Sequence, residues 1–324
     1  MRYPERTKEY RKDPRKNLKK YYSNTILVAP KPKDTIIQTY HEGYFKTTIY
    51  KNKTRRLKTM GKKQLSAYKK ELNVDLSAKS INYLGKKAFF GFAKLRSIHL
   101  PAGMVFLSER VFENCDHLQN VRLPDSIREI GPYAFLECHG LKQITLPGRL
   151  KIIRRGLFKR CINLKKVIIP ESVKLIEPHA FSECRKLESV YLPNLTCIQK
   201  YAFYKCKNLK SIDLPNQLTQ IGEKSFYDCG LDKIVFPQSL TEVHEAAFLR
   251  CRDLTTITLP PNLKVIEKWA FHGCVRLKDV YFTNDPEVLG EWIFNRGGTV
   301  VHCKKDSKVD RYCQKYGYTV EYIK

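Results

Sequence analysis

The 324-residue sequence lacks any apolar run near the ~20 residues that a membrane helix needs; Ile26-Leu27-Val28-Ala29 is typical of its longest. Met1 to Lys20 is dense in Lys and Arg and holds no apolar segment of the kind that marks a secretory signal. These two absences predict a soluble, cytoplasmic protein without an export route. Acidic residues are scarce, with 32 Asp+Glu against 60 Lys+Arg, for a net charge of +28. The imbalance is concentrated at the start, where residues 1–80 hold 22 Lys+Arg and 7 Asp+Glu. Catalytic signatures are missing as well: there is no Gly-x-Gly-x-x-Gly, phosphate-binding loop, His-Glu-x-x-His or nucleophile elbow. No catalytic, cofactor-binding or metal-binding residue is therefore expected, and no enzyme. With 42% hydrophobic residues over this length, wholesale disorder is excluded.

What is present is a repeat. Phe89, Phe112, Phe135, Phe158, Phe181, Phe203, Phe226, Phe248, Phe271 and Phe294 recur every 22 or 23 residues. An aliphatic residue precedes each by five, as in Ile130 and Ile153, and Cys follows three later in eight repeats, from Cys115 to Cys274. A period-2 segment comes next, exemplified by Leu141-Lys-Gln-Ile144-Thr-Leu146, and Pro147 ends it by withholding an amide donor. The segment around Ala134-Phe135 reads as a 3-10 or helical turn that drops Phe and Cys inward. One repeat cannot bury such a strand and ring alone, so neighbours must stack. The fold class is a repeat solenoid, mostly β with short helical or 3-10 turns, of about ten coils. Two places are one residue short, Cys229-Gly230-Leu231 and Pro193 to Phe203, and these are the expected kinks.

The pattern Leu-x-x-Ile-x-x-x-Ala-Phe-x-x-Cys-x-x-Leu-x-x-Ile-x-Leu-Pro resembles the BspA-type leucine-rich repeat, over residues 81–294. Departures are local: Phe92 stands in place of the first Cys and Thr283 in place of the last Pro. Residues 295–324 resemble the helix-then-strand closing cap of bacterial members. Asp306 or Ser307 is placed to cap a helix through Tyr316, and Gly317 to stop it. The resemblance implies a non-catalytic, adhesin-like binding protein and makes the cell surface an alternative location.

The 11 cysteines include no Cys-x-x-Cys pair. Eight share one interior column, where Cys acts as a small buried hydrophobe. His99, His117, His139 and His179 fall at different repeat phases and build no ligand cluster. A Cys303–Cys313 bridge stays open at this point.

Function is then a matter of surface. The outward positions of the regular strands form one face, whose residues change from coil to coil while the buried columns do not. Candidate partner-binding residues there are His99, Arg122, Lys166, Ile168, Tyr191, Asp213, Lys233 and Tyr281, with Val235 a further apolar outward residue. The alternative is an ordinary solvated sheet face, for which Thr and Tyr merely suit strands.

Residues 1–23 read as a basic arm, mobile or weakly helical, interleaved with tyrosines. Residues 24–80 read as a cap made of a β-hairpin about His41-Glu42-Gly43 and a helix from Lys62 to Asn73. Arg11, Lys12, Arg15, Lys16, Lys19 and Lys20, with Arg55 and Arg56, are candidate contacts for a polyanion, either nucleic acid or an anionic polysaccharide. The first reading is thus a monomeric scaffold that binds a protein partner through its strand face. The second is a polyanion-binding protein that works through its basic N-terminal region.

Overall fold

Residues 36–42, 45–50, 57–60 and 65–323 are described in a computed structural model of the chain. Ile36–Glu42 and Phe45–Tyr50 are strands lying side by side in one sheet. From Leu57 onward the described residues form a β-solenoid of about 11 turns, each with three sides.

The first side carries the period-2 strands. Asn73–Asp75, Ser97–His99 and Asn120–Arg122 pair in parallel, as do Gln143–Thr145, Lys166–Ile168 and Ser189–Val190. Near the C-terminal end Thr256–Leu259, Asp279–Phe282, Val300–Cys303 and Thr319–Tyr322 continue the arrangement. The second side is a ladder of two-residue strands, including an unbroken seven-stranded run from Ile152–Ile153 to Val288–Leu289. The short coils leave that ladder intact and interrupt the first side instead. There only a bridge joins Tyr191 to Asp213, and residues 233–235 form no strand. At Gly230 the shortened chain passes so close to the Lys207 carbonyl that a Cβ would collide with it.

The third side is the turn that holds Phe. In each coil the residue two before Phe is left-handed, and in nine of the ten so is the residue two after, as at Tyr133 (φ 58°) and Glu137 (φ 60°) around Phe135. The turn keeps the 3-10 type of hydrogen bond, from residue i+3 back to residue i, but alternates in handedness. The amides explain it. Arg110, Phe112 and Asn114 donate N–H to Pro132, Ala134 and Leu136 of the next coil at 3.0, 2.8 and 2.9 Å, whereas Glu113 and Cys115 donate back to Arg110 and Phe112. A left-handed non-glycine residue costs ~1 kcal/mol, which is offset by turning alternate amides toward the neighbouring coil.

Inside, the ten Phe rings are fully buried, with successive centroids 5.0–5.9 Å apart. The thiols are not passive filling. Cys115, Cys138, Cys161, Cys184, Cys206, Cys229, Cys251 and Cys274 each donate Sγ–H to the Phe carbonyl of the preceding coil at 3.0–3.2 Å. Burial pushes the Cys115, Cys161 and Cys274 thiols up to about 12, so they remain protonated donors. All eleven cysteines are free, and the Cys303–Cys313 bridge does not form.

Two elements flank this core. The expected Lys62–Asn73 helix is, over its described residues, a 3-10 turn at Ser66–Lys70 followed by the strand Asn73–Asp75. Val74 and Leu76 are buried with period 2, and Ser97–His99 offers them a strand to pair with, which adds a coil ahead of the first Phe. At the other end the helix Lys308–Tyr316 is capped by Ser307, whose Oγ accepts from the Asp310 N–H, and stopped by left-handed Gly317. Tyr312 Oη accepts from the Ile293 N–H at 3.0 Å. Tyr318 Oη donates to the Phe294 carbonyl at 2.9 Å and takes the place of a thiol.

This packing makes two stability predictions. Phe181→Ala should cost roughly 3–5 kcal/mol by opening a cavity in the ring stack. Ser225 stands where neighbouring coils have Ala, and its buried hydroxyl has no hydrogen-bond partner. Ser225→Ala should therefore stabilise by about 1 kcal/mol. Urea unfolding of both variants checks the signs, and a destabilised Ser225→Ala protein contradicts the second.

His244 supplies a pH dependence. Its Nε2 lies 3.2 Å from Glu242 and its Nδ1 3.3 Å from Glu267. Burial by itself would lower its pKa, but the Glu267, Glu242 and Glu223 carboxylates outweigh that and raise it. The hydrogen bond to His244 holds Glu267 below the usual carboxylate range. A raised histidine stabilises fully below its unfolded pKa of about 6.5 and loses that contribution as pH rises through its folded value. A lowered carboxylate does the reverse, losing its contribution as pH falls from about 4.3. The pair is thus strongest between those limits. From about pH 6.5 into mild alkali the melting temperature should fall more steeply in the native protein than in His244→Gln.

Candidate functional site

The strand face places its predicted residues unequally. His99 and Arg122 are exposed and directly paired in register, with His99 Nδ1 3.8 Å from Asp75. Lys166 opposes Ser189, and from that register Ile168 and Tyr191 follow as neighbours in adjacent coils, 49% and 56% exposed. Tyr191 Oη donates to Glu171 at 2.6 Å, which fixes the ring in the open. Asp213 is next in the column, exposed and bridged to Tyr191, and Lys233 and Val235 lie one coil further, Val235 at 81% exposure. The middle of the face therefore carries an apolar column broken by one carboxylate.

Tyr281 differs. It is half-buried, with its ring stacked on His302 at a centroid distance of 4.1 Å. His302 is itself buried and sits between Asp279 (Nε2–Oδ1 3.0 Å) and Glu321 (Nδ1–Oε2 3.4 Å). Because the closing strands extend the sheet past Tyr281, they cover a ring that the repeat pattern alone leaves open.

Three further histidines are spent singly. His117 Nδ1 lies 2.7 Å from the Ala93 carbonyl and His139 Nδ1 2.9 Å from Asp116, while His179 stacks on Tyr201. Among the described residues no three metal-ligating side chains converge. Arg11, Lys12, Arg15, Lys16, Lys19, Lys20, Arg55 and Arg56 lie outside the described residues.

The turn side carries a surface that the sequence reading passed over. Between Arg155 and Arg250 its left-handed positions include Arg160, His179, Tyr201, Lys205, Lys224 and Arg250, at least partly exposed and all aromatic or cationic, alongside the acidic Glu183 and Asp228. The signal was Tyr at fixed offsets from Phe, at Tyr201, Tyr204 and Tyr227, but it becomes a surface only when coils stack.

Comparisons with known proteins follow from this geometry. The profile of the BspA type leucine rich repeat region (6 copies) matches residues 66–188 and 174–299. No curated protein matches the sequence. Among solved structures the chain is similar to a leucine-rich repeat protein from Bacteroides ovatus ATCC 8483, at TM-score 0.67 and 22% identity over 90% of this chain and 99% of that one. It is similar to the T. pallidum leucine rich repeat protein at TM-score 0.50 and 28% identity, over 59% of this chain and 89% of that one. A leucine-rich repeat protein from Eubacterium ventriosum ATCC 27560 matches at TM-score 0.51 and 18% identity, covering 76% and 72% respectively. Among the described residues no helix is long and apolar enough to cross a membrane. With its repeat columns, its coil-to-coil ladders and a profile match over most of its length, the chain belongs to the BspA type leucine rich repeat family.

Proposed function

We propose that this protein is a non-catalytic scaffold that binds a partner protein along its strand face. The observation that carries the reading is the column Ile168, Tyr191 and Val235, apolar and 49–81% exposed, on a face whose other outward residues are mostly polar. Large apolar side chains held open on a rigid sheet supply the desolvated centre of an interface, and flanking charges such as Lys166, Asp213 and Lys233 supply its rim. Ile168 is held by parallel pairing and Tyr191 by a bridge, and behind the whole column the two-residue ladder is unbroken, so the backbone is largely ordered before the partner arrives, which lowers the entropic cost of association. Membership of a repeat-scaffold family is in keeping with this role.

The triple variant Ile168→Ser, Tyr191→Ser, Val235→Ser should melt within a few degrees of the native protein, since none of these residues is in the core. It should lose a partner captured by the native chain, with affinity weakened by roughly 2 kcal/mol or more, as for hot-spot truncation. A partner that binds both proteins equally, with folding intact, would place the interface elsewhere.

A further inference from the structure

The turn side from Arg155 to Arg250 combines unpaired cations with rings whose faces are already occupied. His179 stacks on Tyr201 at 4.7 Å and 12°, and Tyr204 on Tyr227 at 4.8 Å and 19°. Lys224 lies over Tyr201, Lys205 over Tyr204, and Arg250 donates to Tyr227 Oη at 3.3 Å. The carboxylates interspersed here are engaged: Glu223 with Lys224 at 3.0 Å, Glu183 with Arg185 at 3.7 Å and Asp228 with Lys207 at 3.6 Å. Among the described residues the side chains of Arg155, Lys159, Lys200 and Lys205 make no ion pair within 4.0 Å, although the Arg155 backbone N–H donates to Glu177 at 2.8 Å and Lys200 lowers the pKa of the nearby Glu223.

We infer that this turn side is a binding surface for a linear sulfated polysaccharide, whose sulfates are taken up by Arg155, Lys159, Lys200 and Lys205. These cations form two pairs. Arg155 and Lys159 flank Phe158, Lys200 and Lys205 flank Phe203, and with a coil rise of ~4.8 Å the pairs stand about 10 Å apart along the solenoid. The coil-to-coil amide bonds of the turn fix that spacing: Phe158 donates to Ala180 and Phe181 to Ala202, each at 2.8 Å. A chain with anionic groups repeated along its length matches such a row, and neutralising several of them releases counterions.

The local potential leaves a mark on His179. Burial, followed by the charges of Lys159, Arg155 and Lys200, lowers its pKa to about 4, so the imidazole stays neutral amid those cations. Nucleic acid fits less well. Single strands bind sequence-tolerant sites by stacking bases on open aromatic faces, whereas these rings are half-buried and stack on one another, with the Tyr201 hydroxyl donating to Glu223 and the Tyr227 hydroxyl accepting from Arg250. This surface lies on a different side of the coil from the strand face.

Titrating the full chain with fluorescein-labelled heparin over a salt series tests the assignment. The variant K159Q/K200Q/K205Q should bind at least about tenfold more weakly at about 0.15 M salt, with a shallower salt dependence. The charge-matched control K151Q/K174Q/K264Q, all exposed beside the second sheet, should stay within about twofold of the native protein. Lys200→Gln alone, at an exposed position, should give a smaller loss in the same direction, and K159R/K200R/K205R should restore binding. Desulfated heparin should not bind. Equal losses in both triple variants, or none in the first, would overturn the assignment. So would an oligothymidylate of matched charge that binds as tightly as heparin and depends on the same lysines, which would make this a nucleic-acid surface.

Discussion

The interior of this solenoid depends on how one carbonyl is satisfied. In the regular coils the Phe C=O lies in a dry core with two lone pairs, and both find donors. One is the amide of the Cys three residues on, as Cys138 N–H to Phe135, and the other is the thiol of the next coil, as Cys161 Sγ–H to the same oxygen. A thiol meets both demands of the site, filling apolar space and donating a hydrogen bond. That explains why Cys recurs at one column while no pair of cysteines forms a bridge. The same geometry requires the left-handed residues around each Phe, since only the alternation aims alternate amides at the neighbouring coil. The thiol series ends at Phe248, and two coils further Tyr318 supplies a phenol to Phe294.

A core built this way is nearly invariant from coil to coil, so whatever distinguishes the protein is written on its outside. Two outer surfaces differ in chemistry. The strand side offers exposed apolar side chains in its middle coils, which suits an interface closed by desolvation. The turn side offers cations that the surrounding carboxylates leave unneutralised, which suits a flexible polyanion. The turn side stands on backbone held by inter-coil hydrogen bonds, and the strand side on the unbroken ladder behind it, so little of either surface must be ordered when a ligand arrives.

The repeat itself was legible because its period, its Phe and Cys columns and its terminal Pro are all local in sequence. Even the deletions could be found by counting, although their effect was not: they break the strand side at Asp213 and Lys233 and spare the two-residue ladder. The Lys62–Asn73 segment shows the opposite difficulty. Its lysines favour a helix, but Val74 and Leu76 have the strand period, and a neighbouring edge at Ser97–His99 decided the outcome. Tyr281 is half-buried for a related reason, because the strands that continue the sheet beside it come from beyond the repeat.

The amino-acid order by itself therefore determined the coil, its repeat length, the residues that point inward and the family to which the chain belongs. Each of these follows from periodicity and from the need to bury ten rings. Only the tertiary structure decided what the thiols bond to, which tyrosines are covered and which cations lack a partner. Those properties join residues about one coil apart, and a pairing between neighbouring coils exists only once they have stacked.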